Sequence, residues 1–106
     1  MGKTMKAIVL KSIKDGKAMK FAYEDRPVPQ IKSPDDVLIK ILGVGICGTD
    51  LHILMDPPLH PSEPDIIFGH EFCGQVEEVG SAVKDLKPGD KVIVDPHPPC
   101  GYCNNC

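Results

Sequence analysis

The chain has 106 residues, 42% of them hydrophobic and 25% charged, with a formal net charge of −3. That length supports one domain with its own core and excludes two ordinary ones. The mild acidity excludes the electrostatic footprint of a nucleic-acid or anionic-membrane binder, and no stretch approaches the ~20 apolar residues of a membrane span.

In chain order, the start MGKTMKAIVLKSIKDG holds only a short apolar run, Ala7 to Leu10, between lysines. No secretory leader is expected from it, and a cytoplasmic location is. The five cysteines then read as thiols or metal ligands rather than disulfides. Lys6-Ala7-Ile8-Val9-Leu10 reads as a strand, Asp15-Gly16 as a turn and Met19 to Tyr23 as the returning strand of a hairpin. Pro27, Pro29 and Pro34 mark an irregular connection. Asp36 to Ile41 is a strand, and Gly43, Gly45 and Gly48 then break regularity. Thr49 or Asp50 is placed to cap a short helix, Leu51 to Met55, which Pro57-Pro58 must end.

Residues 56–65 are proline-rich and read as loop, leading through Ile66-Ile67-Phe68 into Gly69-His70-Glu71. Gly74 to Gly80 alternates as a strand does, Pro88-Gly89-Asp90 is a turn, and Lys91 to Val94 is another strand. The last dozen residues, DPHPPCGYCNNC, carry no core pattern and read as a loop that only a metal orders. Short strands separated by turns predict a mainly β barrel or sandwich. Met1, Met5, Met19 and Met55 form no helical stripe and are read as core filling. Cys73 is read as a buried thiol on a strand, and His60 and His97 as exposed loop residues.

Gly43-Val-Gly45-Ile-Cys-Gly48 matches the G-x-G-x-x-G dinucleotide fingerprint, but its context fails. The helix after it ends at two prolines, whereas a parallel crossover needs about a dozen residues or more. These glycines read better as backbone room beside Cys47. A thiol at Cys47, an imidazole at His70 and a carboxylate at Glu71 are the donor types a zinc ion accepts, and a catalytic zinc takes about three of them plus an open position. Asp50 is placed to receive the second ring nitrogen of His70. Cys100, Cys103 and Cys106 form C-x₂-C-x₂-C, a second metal signal. An iron–sulfur cluster competes for these three thiols, and a colourless protein would end that reading.

Several motifs together carry a resemblance: Gly45-Ile46-Cys47-Gly48-Thr49-Asp50-Leu51-His52, Gly69-His70-Glu71, Gly80, Gly89-Asp90-Lys91-Val92 and Cys100-Gly101-Tyr102-Cys103-Asn104-Asn105-Cys106. In order and spacing they resemble the N-terminal catalytic domain of the zinc-containing medium-chain alcohol dehydrogenases. The resemblance implies a GroES-like, partly open β-barrel over residues 1–106, with short helices and a cysteine-rich zinc lobe at its C-terminal end. It implies Cys47 and His70 as ligands of a catalytic Zn²⁺, with Glu71 as a third or exchangeable one. It implies Asp50 orienting His70, Thr49 taking the proton of the alcohol, and His52 passing it toward solvent through the ribose of NAD(P). The substrate it implies is a small alcohol, polyol or carbonyl compound, and the parent enzyme it implies is a homo-oligomer.

The cysteine lobe of that family holds four cysteines, and three are present here, so an incomplete site with weak or no metal is expected, with His97 or an external ligand as the alternatives that would complete it. The family also needs a second, dinucleotide-binding domain. A chain ending at Cys106 is therefore expected to be a piece of a longer dehydrogenase, inactive alone. The competing reading is a stand-alone GroES-like module that binds metal or a partner without chemistry; the relay pair Thr49 and His52 argues against it. A zinc-less relative of the quinone reductases is a third option, in which Cys47, His70 and the cysteine lobe would have no joint task.

Overall fold

A computed structural model describes residues 2–12, 19–55 and 57–106. The hairpin is present: β1 (Thr4–Ser12) pairs antiparallel with β2 (Met19–Pro27), from Thr4 opposite Pro27 to Ser12 opposite Met19. The expected Asp15-Gly16 turn lies outside the described residues. β2 runs four residues beyond its apolar part, to Pro27. The extension is held by pairing rather than by hydrophobicity. Asp25 takes the Lys6 ammonium at 2.9 Å, Glu24 takes Lys11 at 3.1 Å, and the Val28 N–H donates to the Lys3 carbonyl just past the proline. Proline costs the ladder nothing at such an end.

β3 (Val37–Gly45), β4 (Glu71–Val79) and β5 (Lys91–Ile93) form a second antiparallel sheet in the order β3-β4-β5. β3 continues through Gly43 to Gly45, where the sequence suggested that regularity ends. It does so over a bulge, since Ile41 faces Gly74 and Gly43 faces Cys73, leaving Leu42 unpaired. Gly74 is required where β3 and β4 meet, because a Cβ there would press into the Lys40 carbonyl. The two sheets are open rather than closed, consistent with a GroES-like fold, and an isolated bridge pairs Val9 of β1 with Ile67 in the segment before β4.

The helix α1 (Gly48–Leu54) begins three residues earlier than Leu51, with Cys47 as its N-cap. Neither Thr49 nor Asp50 is the cap residue. Asp50 instead sits in the first turn, and its Oδ2 accepts the Cys47 N–H at 3.0 Å, satisfying one of the donors a helix start leaves free. α1 buries Ile53 and lies against β2. The apolar core is small: Ala7, Val9 and Leu10 from β1, Ile53 from α1 and Val76 from β4. Two expectations fail here. Cys73 is exposed, because strand parity puts it on the face of Glu71 and Glu77, opposite buried Gly74 and Val76. Met55, just past the helix, is exposed as well. No helix among the described residues is long and apolar enough to cross a membrane.

Candidate metal centre

The register of β3 and β4 brings the two motifs together. Gly45, the last residue of β3, faces Glu71, the first of β4. Cys47 follows one strand end by two residues, and His70 precedes the other by one. Sequence positions 47 and 70 therefore meet at one end of a single ladder. Gly69 makes the approach possible: it turns into the strand with φ +108°, a conformation that side-chain-bearing residues avoid, and a Cβ there would meet Val44 Cγ1 at 3.1 Å.

One donor atom each from Cys47, His70 and Glu71 lies within 4.8 Å of the others. Cys47 and His70 are half-buried and Glu71 is exposed. Cys47 Sγ and Thr49 Oγ1 are 3.7 Å apart. Asp50 is 4% exposed, and its Oδ1 stands 3.4 Å from His70 Nδ1. That oxygen is enclosed and has no hydrogen-bond partner among the described residues. A buried carboxylate oxygen without a partner is costly unless a proton-bearing group is drawn to it. An imidazole whose Nδ1 carries hydrogen toward Asp50 keeps Nε2 as a lone-pair donor, the arrangement metal-holding histidines use. A thiolate, an imidazole and a carboxylate within reach of one point, with the imidazole braced from behind, fit a zinc ion.

These residues border a cleft of about 620 Å³. Thr49 and Ile53 of α1 line it, as do His60 and Ser62 from the loop after the helix, and Asp95 and His97 from the segment after β5. The loop residues were legible as exposed but not as part of a site, because nothing in their spacing links positions 60 and 97 to position 47. His52 is exposed on α1 and does not line this cleft; its carbonyl accepts the Leu59 N–H at 2.9 Å.

The three cysteines of the C-terminal segment also converge. The sulfurs of Cys100, Cys103 and Cys106 lie within 4.8 Å of one another, all exposed, with Cys103 and Cys106 at 3.1 Å. His97 is not in this group and borders the cleft instead. The Tyr102 N–H, with smaller help from Cys103 and Cys106, draws the Cys100 thiol down to about 7. A thiol that ionises near neutrality is a ready ligand for a soft cation.

Comparison with known proteins gives a consistent picture. Residues 33–106 match the family described as alcohol dehydrogenase GroES-like domain. Among curated relatives, D-xylulose reductase A of Aspergillus niger is 42% identical over 94 residues, covering 79% of this chain and 24% of the reductase. The uncharacterized zinc-type alcohol dehydrogenase-like protein YdjJ of Escherichia coli K12 is 45% identical over 91 residues, covering 83% and 25%. Among solved structures, alcohol dehydrogenase TADH from Thermus sp. ATN1 superposes with a TM-score of 0.76 at 37% identity, covering 96% of this chain and 28% of that one. A zinc-binding dehydrogenase of Sinorhizobium meliloti 1021 bound to NADP reaches 0.80 at 41% identity, covering 98% and 28%. The chain spans about a quarter of the length of the curated relatives it matches.

Proposed function

Since the chain belongs to the alcohol dehydrogenase GroES-like domain family, we propose that it forms the metal and substrate side of a zinc-dependent, nicotinamide-linked dehydrogenase of alcohols or polyols. The observation that carries this is the convergence of Cys47, His70 and Glu71, with buried Asp50 behind the imidazole. When bound, zinc supplies Lewis acidity that makes a substrate hydroxyl easier to ionise, and NAD(P) accepts the hydride.

The chain's own residues have distinct tasks in this proposal. Cys47 brings negative charge to the ion, Asp50 fixes the tautomer of His70, and Glu71, at the exposed edge, is the exchangeable donor. Thr49, bordering the cleft beside Cys47, would accept the proton of the hydroxyl while releasing its own, and His52, exposed on the same helix outside the cleft, would receive it by way of the ribose of bound NAD(P) and pass it to water. Gly43 to Gly48 runs from a strand into a seven-residue helix and is no dinucleotide fold, so the nicotinamide is held by sequence outside these residues. The five free cysteines suit a reducing compartment, and the cytoplasm is part of the same proposal.

Cobalt substitution tests the metal assignment. The cobalt-loaded chain is expected to show a sulfur-to-cobalt charge-transfer band that weakens in Cys47→Ser and persists in part, from the cysteine lobe, in that variant. A spectrum unchanged by Cys47→Ser sinks the proposal. Metal binding with no alcohol or polyol response, in this chain and in a protein of the relatives' full length, would favour a module without chemistry.

A further inference from the structure

The strand β3 is bonded on one side only. Its ladder with β4 runs from Val37 to Gly45, and no backbone group among the described residues meets its other edge. Such an edge presents a row of unpaired N–H and C=O groups, ready to accept another strand. Folded proteins blunt their edges with charges, prolines, short length or a bulge. The other free edges here follow that rule: β5 has three residues, one of them Lys91, and β2 carries Lys20, Glu24, Asp25 and Arg26. By contrast, the nine residues of β3, VLIKILGVG, hold no proline and a single charge, Lys40. The one blunting device on β3 is the bulge at Leu42, and that residue is itself apolar and 59% exposed.

The open part of this edge is apolar. Val37 to Ile39 are half-buried, whereas Lys40 to Gly45 are exposed. Beside Leu42, Ile41 and Val44 stand 47% and 56% exposed, and Ile46 follows at 84%. Covering these side chains removes apolar surface from water, the main drive for association.

The molecule as a whole has surface to spare. Its accessible area is 8268 Å², against about 5,800 Å² for a compact monomer of its 11.5 kDa mass. Its radius of gyration is 16.1 Å, where a compact chain of about 100 residues has ~13 Å. The shape is a slab of 45 × 45 × 22 Å. A standard protein interface takes about 800 Å² from each partner, and the surplus here is roughly three times that.

From these observations we infer that the chain forms a symmetric dimer, in which the β3 strands of two copies pair antiparallel and join two three-stranded sheets into one of six. A second copy is a self-complementary occupant. It brings the same free backbone groups and the same uncharged apolar side chains, so one twofold axis closes both long edges at once. An axis through Lys40 would set two ammonium groups directly opposite each other, which destabilises a ladder, so the axis lies further along, toward Leu42. The pairing needs no metal and stands apart from the zinc assignment.

Sedimentation equilibrium of the 106-residue chain tests this, with a thiol reductant and a chelator present so that neither disulfides nor metal can bridge copies. A species of twice 11.5 kDa is expected at tens of micromolar. Leu42→Lys puts a charge on the edge and should weaken dimerisation at least about tenfold. Ile93→Lys puts the same charge on β5, at a residue 87% exposed, and should leave dimerisation unchanged. Circular dichroism compares the fold of each variant with that of the parent chain. Amide exchange of the parent chain gives a reading that needs no variant: protection over residues 40–45 should rise with concentration. A monomer throughout that range, open-ended aggregates, or a dimer that Ile93→Lys breaks and Leu42→Lys does not, overturns the inference. Protection of residues 40–45 that appears only in a protein of the relatives' full length overturns it too, since a distant segment of that longer chain would then hold the edge.

Discussion

His70 Nδ1 and Asp50 Oδ1 stand 3.4 Å apart, and that carboxylate oxygen, although enclosed, meets no hydrogen-bond donor among the described residues. The other oxygen of Asp50 already holds the Cys47 N–H. One side chain therefore holds the backbone of Cys47 and stands behind the imidazole of the candidate centre. Asp50→Asn can keep an oxygen on Cys47 but presents an amide to His70 in place of a carboxylate. It is expected to lower zinc affinity by roughly 10- to 100-fold with little change in stability. Asp50→Ala should lose the affinity and also about 1 kcal/mol of stability with the helix-start bond. A competition titration against a chromophoric chelator, paired with urea unfolding, separates the two. Equal zinc affinity in Asp50→Asn and the parent chain would show that Asp50 only caps the helix.

The contact between β3 and β4 predicts a sharp penalty at Gly74. A methyl there runs into the Lys40 carbonyl and Ile39, and neither is the loose end of a flexible side chain. Gly74→Ala should cost about 2 kcal/mol or more, as overpacking of a well-filled site does. Gly48→Ala is the control: nothing lies within 4 Å of its added methyl, and alanine favours a helix by up to about 1 kcal/mol. Urea midpoints for the two variants should move in opposite directions.

Acid should act on the loop through Asp65. The Lys11 ammonium, hydrogen-bonded to Asp65, holds its carboxyl below the ordinary value of 3.8. A carboxyl depressed by folding contributes its stability in full above the ordinary value and loses it as pH falls through the folded one. Asp65→Asn should thus be less stable than the parent chain at pH 7, and the gap should close below about pH 4. Asp36 and Asp90 are depressed in the same direction, by backbone N–H groups of Lys32 and Ser33 and by Lys87 respectively, so their losses are common to both proteins and cancel in the difference. The group is exposed, so raising salt to about 1 M should shrink the gap at neutral pH too. A gap independent of pH would mean that Asp65 acts through its left-handed backbone, φ 65°, and not through its charge.

Among the thiols, Cys100 should be the first to react. Its pull down to about 7 by the Tyr102 N–H makes a large part of it thiolate at neutral pH. In metal-free protein, mass spectrometry after brief iodoacetamide exposure should find label at Cys100 before Cys73, although both are exposed. Zinc or cadmium bound by Cys100, Cys103 and Cys106 should abolish that lead. Labelling of Cys73 first, or no protection by metal, would count against a cation site at the three cysteines.

The grouping of side chains at the candidate centre was legible in the sequence, because a thiol, an imidazole and a carboxylate flanked by glycines form a pattern that packing does not imitate. Cys47, His70 and Glu71 were identifiable by type and by their flanking glycines, and the structure brings them within reach of one point. The element limits were less legible. β2 runs on to Pro27 and β3 past Gly43 because cross-strand bonds and charges sustain them, and those partners lie far away in sequence. The helix start was displaced by the bond from the Cys47 N–H to the Asp50 carboxylate, which in sequence looks like an ordinary acidic first turn. Cys73 was misjudged because the usual burial of cysteine was weighed above strand parity. His60 and His97 reach the cleft through loops, where neither a period of 2 nor one of 3.6 carries information.

The strand that opens the chain reaches further than its own hairpin. Val9 and Leu10 are wholly enclosed, and the backbone around them clasps a distant segment: Leu10 N–H to the Ile66 carbonyl at 3.0 Å, and Phe68 N–H to the Ile8 carbonyl at 2.8 Å. Phe68 is two residues from His70. Damage to the amino-terminal strand, by a protease or by a clone that starts a dozen codons late, would therefore loosen the approach to His70 and disturb the candidate centre, with Cys47, His70 and Glu71 all still present.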